Sequence, residues 1–117
     1  MRAKIYHNPK CSKSCDALEL LQSRDLDLEI VEYLETPLNK EELCHLIKLL
    51  GVAPSSLVRA RDLQRLGLPG AEDADGWMQL LLENPALLER PIVVVGSLAR
   101  IGRPIDQVEK LLSEASE

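Results

Sequence analysis

Aromatic residues are scarce in this sequence, which contains no phenylalanine, one tryptophan and two tyrosines. A hydrophobic core must therefore be built from leucine, valine and isoleucine, and few rings are available for stacking nucleic-acid bases. The formal net charge of −5 argues against a broad basic surface of the kind that binds nucleic acid or anionic membranes. No run of about 18 apolar residues and no signal-peptide pattern is present. We therefore expect a cytoplasmic monomer that binds neither nucleic acid nor membrane.

Cysteine is also infrequent, with three residues at positions 11, 15 and 44. An odd number of cysteines in a chain expected in the reducing cytoplasm favours catalytic or redox-active thiols over structural disulfides. Cys44 and its neighbour His45 point about 100° apart on a helix and have no other ligands nearby in the sequence. We therefore expect no metal site, a half-buried structural role for Cys44 and no role for His45.

The stretch of residues 1–21 predicts an apolar strand, a turn at residues 7–9 and a helix that carries Cys11 in its first turn. At a helix start, the unpaired backbone N–H groups of Lys13 and Ser14 and the positive end of the helix dipole favour a thiolate. We therefore predict that the pKa of the thiol lies below the free value of about 8.5.

The polar side chains around Cys11 predict an anion site at the same place. The hydroxyls of Ser12 and Ser14 and the ammonium of Lys13 add donors that suit an oxyanion. The alternative is that Cys11 is a small buried apolar residue, as free cysteines often are. The run of polar and basic residues around it argues against a core position.

The rest of the chain predicts alternating strands and helices, with Asn39 and Gly51 as the two ends of the second helix and Pro104 as the first residue of the last. The further predicted elements are a strand over 26–34 parallel to the first, helical turns over 54–70, a helix over 73–82, a turn over 86–89, and a β-hairpin of strands 92–95 and 98–101. The expected core face of the last helix consists of Ile105, Val108, Leu111 and Leu112.

This order of elements is that of the thioredoxin fold, an α/β fold in which a four-stranded mixed sheet is flanked by helices. We expect one thioredoxin-like domain over residues 1–117, with a helical insertion at about 38–88 between the strand–helix–strand half and the hairpin–helix half. The fold usually places a cis-proline beside the cysteine at the start of the third strand. The matching residue is Pro91, so the Arg90–Pro91 bond is predicted to be cis.

Four segments carry a resemblance to a known family: residues 6–14, 33–37, 89–94 and 102–104. With these motifs, nearly the whole chain resembles the glutaredoxin-coupled arsenate reductases, enzymes of arsenic detoxification. The resemblance implies that Cys11 attacks arsenate and that three arginines hold the oxyanion. These arginines are Arg59, Arg90 and Arg103, and two further positions of the family's active site are matched by His7 and Ser14. Guanidinium groups suit a tetrahedral oxyanion because they bind it through two donors.

The same resemblance implies a reductant, with glutathione displacing the arsenic species from Cys11 and glutaredoxin reducing it to arsenite. No metal and no tightly bound cofactor is implied. Cys15 departs from the pattern, because relatives often have arginine there. An internal exchange between Cys11 and Cys15 stays open, since Cα atoms four residues apart on a helix are about 6 Å apart, although their Cβ directions are poor. We expect an accessory or structural role for Cys15.

Two other functions fit the sequence. A redox-sensing regulator of the Spx kind shares the fold and binds RNA polymerase, but its motif is Cys-X-X-Cys, whereas Cys11 and Cys15 are separated by three residues. The resemblance also assigns Arg103, before Pro104, as an oxyanion ligand that such regulators lack. A general glutaredoxin-like thiol–disulfide reductase would instead turn over small disulfides without arsenate.

Overall fold

Four strands form one mixed sheet in the order β2–β1–β3–β4. The computed structural model describes residues 1–116. The strands are β1 (Arg2–His7), β2 (Asp27–Glu32), β3 (Ile92–Val95) and β4 (Leu98–Ile101). The helices are α1 (Ser12–Gln22), α2 (Lys40–Leu50), α3 (Ala60–Arg65), α4 (Ala74–Glu83) and α5 (Asp106–Ala115), with 3-10 turns at Pro54–Leu57 and Pro85–Leu87. None of the helices in the described part of the chain is long and apolar enough to cross a membrane.

The pairing of the strands can be described from Ile5, the apolar residue near the centre of β1. Ile5 lies opposite Ile30 of β2 in a parallel pair and opposite Val93 of β3 in an antiparallel pair. Val93 in turn lies opposite Arg100 of β4, in the predicted hairpin. The thioredoxin-like fold class predicted from the sequence is therefore confirmed.

One face of the sheet carries the main core. Ile5 and Val93 are fully buried there with Ala17 of α1 and Val108 of α5. Aliphatic residues at positions 17 and 21 of α1, and at 108, 111 and 112 of α5, recur at the helical spacing that presents one face to the sheet. This packing holds the N-terminus of α1 at the end of β1.

The chain divides into two compact units. The sheet unit contains Met1–Thr36 and the chain from Arg90 onward, and the helical unit is Pro37–Glu89. The helical unit thus nearly coincides with the range predicted as an insertion. That residues 1–117 form a single domain stays a prediction.

Within the helical unit, the predicted ends of α2 are confirmed. The side chain of Asn39 accepts a hydrogen bond from the backbone N–H of Glu42 at 2.8 Å, and Gly51 has a φ of 66°. The two 3-10 turns are joined by backbone hydrogen bonds, from Arg59 to Leu87 at 2.8 Å and from Glu89 to Leu57 at 2.7 Å.

The expected half-buried position of Cys44 is wrong, because its side chain is exposed. The buried residues of α2 are Leu43 and Leu46. Successive helical residues are rotated by about 100°, so the residue after Leu43 points away from that face.

The start of the last helix also differs from the prediction. Pro104 precedes the helix, since α5 begins at Asp106, and Ile105 is 43% exposed instead of facing the core. Ile105 is the N-cap residue of α5, and the residues of the helix that are buried begin at Val108. β2 is likewise shorter than predicted, because the chain turns after Glu32.

Candidate active site

The loop between β1 and α1 places Cys11 at the N-cap position of α1, one residue before the predicted first turn. The backbone N–H of Cys11 donates to the carbonyl of Asn8 at 3.0 Å, and its own carbonyl accepts from the N–H of Cys15 at 3.0 Å. At an N-cap, the side chain faces the N–H groups of the second and third helical residues, here Lys13 and Ser14. The thiol therefore lies where a capping oxygen would normally lie.

Two arginines from the C-terminal segment of the sheet unit, Arg90 and Arg103, act on this thiol. Nη2 of Arg103 donates to Sγ of Cys11 at 3.1 Å, and Nε of Arg103 donates to the carbonyl of Arg90 at 2.6 Å. The side chain of Arg90, which is buried, also acts to lower the pKa of the Cys11 thiol. Arg90 and Arg103 therefore both act on the same sulfur.

The pKa of Cys11 is lowered by its surroundings. Burial of the thiol acts to raise the pKa, but the backbone N–H of Ser14, the positive charge of Arg103, the N–H of Lys13 and the side chain of Arg90 together outweigh it. The thiol makes no capping hydrogen bond of standard geometry, yet these N–H dipoles still favour the thiolate. The prediction of a lowered pKa, and of its cause at the helix start, is confirmed.

Close to the cysteine, Ser14 is fully buried and links the helix to the end of β1. Its Oγ lies 2.7 Å from Nδ1 of His7 and accepts from the backbone N–H of Asn8 at 3.0 Å. Burial lowers the pKa of His7, against the opposing effects of Glu32 and Ser14, so the surroundings favour the neutral form of the ring. Ser14 therefore joins His7 to the helical turn that begins at Cys11, and a part for His7 and Ser14 in binding a substrate stays a prediction.

Cys15 lies one turn after Cys11 and is half-buried. Its Sγ lies 3.4 Å from the carbonyl of Pro9, to which it donates. The three cysteines are free thiols in the described chain. Exchange between Cys11 and Cys15 stays a hypothesis.

Pro91 follows Arg90 through a cis peptide bond, as predicted, and the Arg103–Pro104 bond is also cis. The backbone N–H of Gly102 donates to the carbonyl of Pro91 at 2.8 Å. Gly102 has no room for a side chain, because a Cβ there would lie 2.9 Å from both Pro91 Cγ and Val108 Cγ2. The absence of a side chain at this position thus lets the Arg103 segment approach the Arg90–Pro91 segment.

Arg59, the third predicted arginine, belongs to the helical unit, where it is the N-cap residue of α3. Its Nη1 lies 3.2 Å from Oδ2 of Asp62 and its Nε lies 3.7 Å from Oε1 of Glu89. The side chain is only 18% exposed, so Arg59 is held by two carboxylates and is not a solvated surface residue. Its part in a site with Cys11 stays a prediction.

Two residues of the site were not identified from the sequence. In the sequence, Asn8 belongs to a predicted turn and Gly102 to the motif at residues 102–104, but neither is predicted to have a role of its own. The signals present were an asparagine directly before a proline near the cysteine, and a glycine directly before the Arg103–Pro104 pair.

The arrangement around Cys11 combines a nucleophile with positively charged groups that suit an anion. A thiolate is the reactive form of cysteine, and guanidinium groups neutralise and orient a bound oxyanion. Within residues 1–116, no group of three or more histidine, cysteine, aspartate and glutamate side chains is placed to hold a metal ion. These groups suit attack by the Cys11 sulfur on the central atom of a bound oxyanion.

Comparison with known proteins agrees with this chemistry. The model of the ArsC family matches residues 6–111. Over 113 residues, the chain is 42% identical to an arsenate reductase of Neisseria meningitidis serogroup A, covering 93% of this chain and 97% of the relative. It is 36% identical over 118 residues to an arsenate reductase of Escherichia coli K12, covering 97% and 82% respectively. A structure of a putative arsenate reductase from Yersinia pestis superposes with a TM-score of 0.83 at 39% identity, covering 92% of this chain and 98% of that one. With nearly its whole length matched in this way, the chain belongs to the ArsC family.

Proposed function

We propose that this protein is an arsenate reductase that converts arsenate to arsenite through the Cys11 thiolate. The observation that carries the proposal is the position of Arg103 Nη2, which donates to the sulfur of Cys11 at 3.1 Å. The relatives named arsenate reductases, at 36% and 42% identity, support the same substrate.

The proposed reaction begins when arsenate binds beside Cys11, where Arg90 and Arg103 offset its negative charge. The thiolate attacks arsenic, a sulfur–arsenic bond forms, and an arsenate oxygen leaves as water after protonation. The protein contributes position and charge stabilisation. We include Arg59 as a third ligand of the anion, on the basis of the family resemblance.

The second half of the proposed reaction supplies two electrons from external thiols. Glutathione attacks the arsenic on Cys11, and a second oxygen leaves as water, so that arsenic carries both sulfurs. A glutaredoxin thiol then attacks the glutathione sulfur to form a mixed disulfide, the glutathione–arsenic bond breaks, and its electron pair stays on arsenic, which becomes arsenic(III). Water then displaces the Cys11 sulfur from arsenic, which releases arsenite and returns Cys11 to its thiolate form. We propose that glutathione and glutaredoxin are the reductants, that no cofactor is tightly bound, and that the protein acts as a cytoplasmic monomer.

The test is arsenate-dependent turnover in the presence of glutathione and glutaredoxin. Wild type and Cys15→Ser should both turn over, whereas Cys11→Ser should be inactive, because the thiol of Cys11 accepts from Arg103 whereas that of Cys15 faces the carbonyl of Pro9. Equal loss in both variants would show that an internal disulfide is required.

Two outcomes would favour the other functions considered above. Disulfide reduction without arsenate turnover would indicate a general thiol reductase. An oxidation-dependent complex with RNA polymerase would indicate a redox-sensing regulator of the Spx kind.

The part assigned to Arg59 needs a separate comparison. Arg59→Ala should lower kcat/KM for arsenate about tenfold or more, the effect of losing one charge-assisted contact. The matched control is Arg61→Ala on the same helix, since Arg61 is exposed and makes none of the ion pairs within the described residues. Equal activities in the two variants would contradict a role for Arg59.

A further inference from the structure

Asn8 makes three hydrogen bonds within the segment that carries Cys11. Its side-chain Oδ1 accepts from the backbone N–H of Lys10 at 2.9 Å, and its carbonyl accepts from the N–H of Cys11 at 3.0 Å. Its own N–H donates to Oγ of Ser14 at 3.0 Å. Asn8 is therefore bonded to the residue before the cysteine, to the cysteine, and to the residue three positions after it.

These bonds constrain the geometry that lowers the pKa of Cys11. The side-chain bond to Lys10 closes a turn of the kind that asparagine favours. The bond to Ser14 holds the first turn of α1, whose third residue presents its N–H to the thiol. Movement of either segment would change the distance between the sulfur and the N–H groups that stabilise its charge.

The chemical type of the side chain matters as well as its position. Asn8 is buried, with 7% exposure, and its Oδ1 acts as a neutral acceptor. Aspartate could accept the same hydrogen bond, but it would add a negative charge next to a thiolate and to a site for an anion. A neutral acceptor closes the turn without that cost.

We propose that Asn8 is a positioning residue that acts through Cys11, by holding the cysteine against the N-terminus of α1 with an uncharged hydrogen-bond acceptor. The proposal rests on the proposed function only in taking Cys11 as the nucleophile. Because Asn8 is buried, we expect it to affect the reactivity of the thiolate without binding the oxyanion.

The experiment compares Asn8→Ala, Asn8→Ser and Asn8→Asp in the full chain by the rate of alkylation of Cys11 with iodoacetamide. To isolate one thiol, all variants carry Cys15→Ser and Cys44→Ser. At about pH 6, Asn8→Ala should react at least about threefold more slowly than the parent, because less of the thiol is ionised. Asn8→Ser should be intermediate, since a hydroxyl makes the same turn more weakly. Asn8→Asp should melt near the parent Tm but also react slowly, because its charge opposes the thiolate.

The matched control is Asn39→Ala, which also removes an asparagine oxygen that accepts one backbone N–H, at 2.8 Å, in the helical unit. It should lower Tm without changing alkylation. A parent-like rate for Asn8→Ala, or an equal slowing by Asn39→Ala, would overturn the proposal. If Asn8→Ala does not fold, a parent-like rate for Asn8→Asp would overturn it instead.

A second measurement separates this proposal from the proposed function. If arsenate is turned over, Asn8→Ala should lower kcat about tenfold and leave KM for arsenate within about twofold, the pattern of a lost contribution to the chemical step. A raised KM with unchanged kcat would overturn the positioning role. Alkylation needs no arsenate, so slow alkylation by Asn8→Ala would support the role of Asn8 even if arsenate turnover is absent.

Discussion

The guanidinium of Arg103 bridges Cys11 and Arg90, although Arg103 and Cys11 are 92 positions apart in the chain. Its Nε donates a hydrogen bond to the backbone carbonyl of Arg90 at 2.6 Å, and its Nη2 donates one to the sulfur of Cys11 at 3.1 Å. A carbonyl on one edge of the planar group thus orients the other edge toward the thiol. This orientation requires a fork of several N–H donors, which a lysine does not have.

We therefore expect Arg103→Ala to lower kcat/KM for arsenate on the order of tenfold to a hundredfold, and Arg103→Lys to recover only part of the loss. Lysine restores the charge but cannot reach the carbonyl and the sulfur together. The control is Arg100→Lys, because Arg100 of β4 pairs instead with Gln107 and Glu114 of α5. Full recovery in Arg103→Lys would mean that charge alone is sufficient. Steady-state kinetics at several arsenate concentrations would measure both effects.

The thiolate of Cys11 can be titrated directly. In a Cys15→Ser, Cys44→Ser background, the rate of iodoacetamide labelling against pH should show an inflection below the free-cysteine value of about 8.5. The physical reason is that two arginines and two backbone N–H groups favour the charged sulfur over the neutral thiol. Arg103→Ala should move the inflection upward. An inflection at or above about 8.5 in the parent would contradict the assigned environment.

Gly102→Ala should disturb the site through crowding. The added methyl group would lie 2.9 Å from Pro91 and 2.9 Å from Val108, so the Arg103 segment must shift. The cost of such overpacking is about 1–3 kcal/mol of unfolding free energy. The matched control is Gly76→Ala, where a Cβ would lie 2.8 Å from Ala71 in the helical unit. Both variants should lower Tm, but only Gly102→Ala should slow the alkylation of Cys11. Equal alkylation rates in both variants would refute this role.

His7 should make the protein less stable in acid. Because burial holds its folded-state pKa below 6.5, the unfolded chain takes up a proton that the folded chain does not. Stability is therefore complete above about pH 6.5 and falls as the pH decreases below it toward the folded-state pKa. Urea unfolding at several pH values should show a smaller loss in His7→Gln than in wild type. His45→Gln, at an exposed position, is the control and should retain the wild-type loss. An unchanged acid loss in His7→Gln would contradict the prediction.

Much of the fold could be predicted because its signals are local. Asn39 and Gly51 mark the ends of α2 through their own hydrogen bonds and backbone angles, which depend on neighbours within a few positions. The hairpin between β3 and β4 is likewise encoded by two turn residues between apolar runs. By contrast, Cys44 and Ile105 were placed wrongly, because exposure depends on which helix face is covered and on where a helix begins.

By itself, the sequence determined that a cysteine lies at a helix start among polar and basic residues, and that strands and helices follow in thioredoxin-like order. These properties arise from spacing and residue type along the chain. Only the tertiary structure decided that Arg103 donates to the sulfur of Cys11 and that the carbonyl of Arg90 orients the Arg103 side chain. It also decided that the lack of a side chain at Gly102 lets these segments pack closely. Such contacts join segments distant in sequence, so they depend on the register of the sheet and the packing of α5, which no local pattern specifies.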